Sequence, residues 1–296
     1  MNIIFFGNTK YSTLGANIIH EKLGLSHIVT IPDKLSNKKI LTPSPTKKFA
    51  LTHSILVFTT PKLDENAISY LQTLKPDFFI VEDYRLILPK KLLSLPRYAN
   101  LNIHHSLLPK YRGPSPAPAA ILAGEKTSGV TIIQMTEKVD AGDILAQQEY
   151  SLTPNETTDS LLTQLNSIGA NLMVSVINNY LNGNIQPKKQ DETKATYTKM
   201  LTKQDGYFDL NNPPMKEKLD RMIRAFHPWP GVWTKIRIRN LPTLQERYPV
   251  SDDIGNESRI KFLPENKIQV EGGKPMTIKD FLNGYPELKS TLEKFF

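Results

Sequence analysis

The 296-residue chain contains no cysteine. That excludes a disulfide framework, a thiolate metal site and a cysteine nucleophile. No stretch approaches the roughly 20 consecutive apolar residues of a membrane-spanning helix. The apolar run near the start, Ile3 to Phe6, is too short for the apolar region of a signal peptide. A G-x-G-x-x-G pattern is absent, so Gly7 after that run is read as turn geometry and a dinucleotide site is rejected. Ser106 lacks a G-x-S-x-G elbow, which removes a triad serine. His20, His27, His53 and His227 are scattered without metal-ligand spacing, and no metal is expected. Tryptophan is scarce; Trp229 and Trp233 are read as packing anchors.

Charge is plentiful. Lys and Arg number 37 against 29 Asp and Glu, a formal net charge of +8 with pI about 9.3. A polyanionic partner follows from that balance, and so does a merely lysine-rich surface. The length suits two domains and a substantial core. A chain without cysteine fits a reducing cytosol.

The first half alternates strand and helix signals. Short apolar runs at Asn2 to Phe6, His27 to Ile31, Ile55 to Phe58 and Asp77 to Val81 read as buried parallel strands. Asn8-Thr9 stands where a helix cap belongs, before Leu14, Ala16, Ile18, Ile19 and Leu23 at helical spacing. A second amphipathic helix is predicted at Leu63 to Leu74, and a long one from about Thr157 to Leu181, ended by Gly183. Alternation of this kind predicts an α/β domain with a mostly parallel sheet covered by helices on both faces. Residues 184 to 203 are polar and lysine-rich and read as a linker. A helix is predicted at Met215 to Phe226, stopped by His227-Pro228-Trp229-Pro230, with a strand at Val232 to Ile238 after it.

The run from Asn102 to Asp143 concentrates the chemistry. A strand at Asn100 to Ile103 delivers Asn102, His104 and His105 to a loop. A short helix at Ala117 to Ala123 and a strand at Val130 to Met135 lead to Asp140-Ala141-Gly142-Asp143. Taken singly, each polar residue has a plain structural reading: a cap, a satisfied side chain, an Asx-turn. Together an amide, an imidazole and a carboxylate sit where strands stop, which is where α/β sheets carry their sites.

The stretch N-x-H-x-S-L-L-P-x-Y-R-G, a later S-G-V-T strand and D-x-G-D resemble the folate-dependent formyltransferase family. So do Pro32-Asp33, Pro43-Ser44-Pro45 and the run Val81 to Pro89. The resemblance implies a Rossmann-like catalytic domain and 10-formyltetrahydrofolate as formyl donor. It makes Asn102, His104 and Asp140 the catalytic trio. Ser106, Leu107, Leu108 and Pro109, with Tyr84, Arg85 and Leu86, become the folate-binding residues. His105 stands where the family usually has glycine, and Asp83 and Arg85 replace small residues.

Further on, Ala195 to Lys199, Ile223 to Gly231 and Met276 to Gly284 resemble the methionyl-tRNA formyltransferases within that family. This implies a smaller, β-rich, OB-like C-terminal domain that contacts tRNA, shortened where the likeness fails between Arg239 and Ile260. The domains expected are 1–184 catalytic, 185–203 basic linker and 204–296 C-terminal. Lys34, Lys38, Lys39, Lys188 and Lys189 are the tRNA-binding candidates, since lysines meet phosphates as point charges. The expected partner is initiator methionyl-tRNA, the expected state a cytoplasmic monomer. Two alternatives stay open: an aminosugar-nucleotide N-formyltransferase, suggested by Tyr84-Arg85, and a non-catalytic RNA- or folate-binding relative.

Overall fold

The computed structural model describes residues 1–35, 40–238 and 256–293. The chain divides into two compact units. The first comprises Met1–Ala117, Lys126–Leu152 and Ser160–Lys199; the second comprises Pro118–Glu125, Thr153–Asp159 and Met200–Phe296.

In chain order the first unit begins with β1 (Ile3–Phe6), α1 (Lys10–Leu23) and β2 (His27–Thr30), then a small hairpin of β3 (Lys34–Leu35) and β4 (Leu41–Thr42). It continues with α2 (Pro45–Thr52), β5 (Leu56–Thr59), α3 (Glu65–Thr73), β6 (Phe78–Val81), α4 (Lys90–Leu93) and β7 (Ala99–His104). After α5 (Pro116–Ala123), most of which belongs to the second unit, come β8 (Thr127–Gln134), β9 (Ile144–Ser151) and α6 (Thr158–Leu181). Seven strands form one sheet in the order β5-β2-β1-β6-β7-β8-β9. The first five run parallel, and β8 and β9 add antiparallel pairs at one side. The expected mostly parallel sheet is therefore present. Helix α2 and strand β9 had no counterpart in the sequence reading. The burial of β9 alternates only weakly, so it lacks the period-2 signal of a half-buried strand.

Side-chain alternation splits the core into two layers. Ile3, Phe5, Phe78, Ile80, Leu101 and Ile103 pack with α1, α2 and α6. Ile4, Phe6, Phe79 and Val81 pack on the other face with α3 and α4. Each fully buried Ile or Phe here contributes about 1.5–3 kcal/mol. Local signals start the helices where they should. Thr9 caps α1 in a capping box with Ser12, Ser44 caps α2, and Asp64 caps α3. Gly7 needs no unusual φ; a Cβ there would meet the Phe5 ring at 2.7 Å and the Ser12 hydroxyl at 2.9 Å, so close packing explains it. Helix α6 is long and apolar enough to cross a membrane by composition alone, yet Leu165, Ala170, Met173, Val176 and Ile177 are buried in the core.

The second unit contains α7 (Lys216–Ala225) and a four-stranded antiparallel sheet in the order β10 (Val232–Ile238), β11 (Asn256–Leu263), β12 (Lys267–Val270), β13 (Met276–Thr277), followed by α8 (Ile278–Gly284). This is the expected β-rich C-terminal part. Residues 239–255, most of the span where the family likeness fails, lie outside the described residues. Trp233 is buried, with its indole N–H donating to the Lys203 carbonyl at 3.0 Å. Trp229 is 56% exposed, which corrects its reading as a packing anchor: the run of prolines around it turns the ring outward instead of into the sheet.

Candidate active site

The site forms at the carboxyl end of the central strands. Strand β7 lies between β6 and β8, with Asn102 paired to Val81 on one side and Ile133 on the other. Ile103 points into the α6 layer, so Asn102 and His104 share the opposite face, about 7 Å apart along the strand. Asn102 is half-buried, and among the described residues its carboxamide is committed to no partner.

His104 is 5% exposed. Its Nε2 lies 3.0 Å from the Tyr111 carbonyl oxygen. A carbonyl only accepts, so this bond forms with the proton on Nε2. The ring's Nδ1 lies 3.6 Å from Asp140 Oδ2. The same carboxylate oxygen accepts the Gly113 backbone N–H at 2.7 Å. Both neighbours of the ring sit in the left-handed region, Tyr111 at φ 60° and Asp140 at φ 51°. Such a backbone costs about 1–3 kcal/mol at a non-glycine residue and persists only where the surroundings hold it. Gly142 is also required, because a Cβ there would run into the Gln134 carbonyl.

Ser106 to Pro109 follow β7 directly. Ser106 and Leu108 are buried. The Thr131 hydroxyl of β8 ties this loop down: it donates to the Ser106 carbonyl at 2.6 Å and accepts from the Leu108 N–H at 3.1 Å. Gln147 of β9 adds bonds to the Leu108 carbonyl and to Thr131. On the neighbouring strand end, Tyr84 packs edge-on against Phe6 with ring centroids 5.4 Å apart. Its buried hydroxyl has no hydrogen-bond partner among the described residues, and burial pushes its pKa up to about 12. Tyr84 therefore packs into the core, while Arg85 is exposed and Leu86 half-buried.

His105 turns away from this constellation. Its ring is buried, with Nε2 3.5 Å from Glu82 Oε1 and Nδ1 3.7 Å from Asp83 Oδ1. Glu82 is fully buried, and among the described residues its carboxylate oxygens have no hydrogen-bond partner. Desolvation, with Asp83 adding to it, holds the Glu82 carboxyl well above its ordinary range. Desolvation lowers the His105 imidazole, Asp83 opposing and His104 reinforcing that shift. Burial thus disfavours the charged form of each group. Gly15 of α1 makes room, since a Cβ there would collide with the Glu82 carboxylate.

The structure therefore brings His104 and Asp140 together and sets Asn102 on their face. The Tyr111 carbonyl, the Gly113 N–H and Thr131 were not foreseen as parts of the site; backbone groups leave no trace in residue identity. Lys34 lies exposed on β3 and Lys188 and Lys189 are exposed after α6, away in sequence from the trio. Lys38 and Lys39 lie outside the described residues. Among the described residues no cluster of three or more His, Asp or Glu could hold a metal.

Residues 1–177 match the formyl transferase family model. A methionyl-tRNA formyltransferase from Chloroflexus aurantiacus is 40% identical over 240 residues, covering 79% of this chain and 76% of that one. Another, from Caldicellulosiruptor saccharolyticus, is 32% identical and covers 96% of this chain and 97% of that one. Among solved structures, a sugar N-formyltransferase from a Shewanella species superimposes with a TM-score of 0.64 at 16% identity, covering 90% of this chain and 98% of that one. At that identity the likeness is one of fold.

Proposed function

The chain belongs to the formyl transferase family, and we propose that it transfers the formyl group of 10-formyltetrahydrofolate to the α-amino group of initiator methionyl-tRNA, for translation initiation. The observation that carries this is the His104–Asp140 pair, beside Asn102, inside the matched region. The choice of acceptor rests on relatives named methionyl-tRNA formyltransferase whose similarity extends through the C-terminal unit.

The reaction is acyl transfer at an amide-like carbonyl. A neutral amine attacks the formyl carbon, an oxyanion forms, the new C–N bond is made and the bond to the folate nitrogen breaks. Asn102 donates its carboxamide N–H to the oxyanion; one such donor is worth about 3 kcal/mol. His104 has Nε2 committed to Tyr111, so Nδ1 is the nitrogen that takes the proton from the attacking amine and returns it to the departing one. Asp140 faces that nitrogen and stabilises the imidazolium in between.

We assign the folate to the crevice between Tyr84, Arg85 and Leu86 and the Ser106–Pro109 loop. Residues 204–296 form the tRNA-contacting domain in this account. There β11 turns Arg259 and Lys261 away from buried Ile260 and Phe262, a side suited to phosphates. Lys34, Lys38, Lys39, Lys188 and Lys189 supply further phosphate contacts. We take the protein to act as a cytosolic monomer without a metal.

The test is a parallel assay with 10-formyltetrahydrofolate and two acceptors, charged initiator tRNA and dTDP- or UDP-aminosugars, read by mass spectrometry. N-formylmethionine on the tRNA alone is expected. Formylated aminosugar without formylmethionine would reassign the acceptor, and binding of the folate with no product from either would make the protein a non-catalytic relative.

A further inference from the structure

The run after α6 resembles a solvated spacer by composition, yet residues 188–198 group with the catalytic unit and lie across both loops that flank His104. Lys188 exchanges two backbone hydrogen bonds with Ile144, each 2.8 Å, just past the Asp140 turn. Thr196 and Thr198 bond the backbone on either side of Arg112.

Gln190 reaches the turn itself. Its side-chain amide donates to the Asp140 carbonyl at 2.8 Å and to the Gly142 carbonyl at 2.7 Å. Its oxygen accepts from Arg112 Nε and Nη2 at 3.1 and 2.8 Å. Arg112 is buried at 1% exposure. It also grips Glu192 with both terminal nitrogens, at 3.0 and 2.7 Å, and donates to the Tyr197 hydroxyl at 3.2 Å. All five N–H donors of the guanidinium are used, and four of those bonds go to Gln190 and Glu192. A buried, fully satisfied arginine is a rigid anchor, since removing one partner strands a charge.

The second loop is held in the same way. Thr196 Oγ1 accepts the Tyr111 N–H at 2.8 Å, and the Tyr111 carbonyl is the group bonded to His104 Nε2. Both left-handed residues, Tyr111 and Asp140, are thus fixed by one strap, some 50 to 85 residues further along the chain. One end sets the acceptor at Nε2 of the imidazole and the other sets the carboxylate at Nδ1.

We infer that residues 188–198 are part of the catalytic apparatus, with Gln190 and Thr196 as positioning residues that set the tautomer and the acid partner of His104. This rests on the role of His104 given above. Neither residue touches the reacting atoms; each acts through a backbone group beside His104.

Two measurements test it. In steady-state kinetics, Gln190→Ala and Thr196→Ala should each lower kcat about 10- to 100-fold, as small misplacements of catalytic groups do, with KM for donor and acceptor within twofold of wild type. Thr196→Ser, which keeps the hydroxyl, should restore kcat to near the wild-type value. Independently of turnover, nitrogen-15 NMR of labelled histidine should show His104 as the Nε2–H tautomer in wild type and a mixture of tautomers in Thr196→Ala. A lowered melting temperature with unchanged kcat and an unchanged tautomer would reduce the strap to scaffolding and overturn the inference. A wild-type protein inactive on every acceptor would instead defeat the functional assignment, and the NMR measurement would still decide for or against the strap.

Discussion

At the scale of single residues the buried pair Glu82 and His105 carries the most electrostatic tension. Its physical signature is a pH dependence of stability. The Glu82 carboxyl is raised by desolvation. A group with a raised folded pKa lends its stability below its unfolded value, about 4.3, and that stability is lost as pH rises through the folded value. Glu82→Gln keeps the shape and removes the titration. It should melt higher than wild type at pH 8, with the gain shrinking toward pH 4; an equal gain at both pH values would mean that Glu82 is not the titrating group. His105 works in the opposite direction. Its lowered pKa means stability present above about 6.5 and lost as pH falls below it. Asn102, His104 and Asp140 were singled out because their surroundings resemble the formyltransferase motifs, and the structure sets His104 beside Asp140. The proton position on His104 was not legible, since it depends on the carbonyl of Tyr111, which any residue would carry.

Secondary structure is the scale at which chain patterning speaks most clearly. The apolar runs of β1, β2 and β6 and the cap of α1 are visible because burial on both faces and side-chain capping each demand particular residue types. Strand β9 and the strap at 188–198 are not, because neither alternates buried with exposed residues and both are half-buried or exposed along most of their length. The link between β8 and the 106–109 loop is a consequence of one hydroxyl. Thr131 has three hydrogen-bonding partners in a fully buried position. Thr131→Val, similar in shape, should lower unfolding free energy in urea by about 3 kcal/mol, because it leaves a buried N–H and a buried carbonyl short of a partner. It should also raise KM for the formyl donor, which we assign to that loop. Thr131→Ser should recover most of the loss. A valine variant as stable as wild type would show that water replaces the hydroxyl.

The whole molecule carries a formal charge of +8 toward a substrate lined with phosphates. The kcat/KM for charged tRNA should therefore fall steeply and log-linearly with salt, while KM for the folate donor changes little. Flat salt dependence for the tRNA would remove the phosphate contacts assigned to the lysines and to Arg259 and Lys261. In the proposed reaction a formyl carbon passes between two nitrogens beside Asn102 and His104. A single-turnover measurement with saturating donor and charged tRNA isolates that event from binding and release. Asn102→Ala should slow N-formylmethionine formation by about 10²–10³-fold while both substrates bind as tightly as to wild type; an unchanged single-turnover rate would contradict the account.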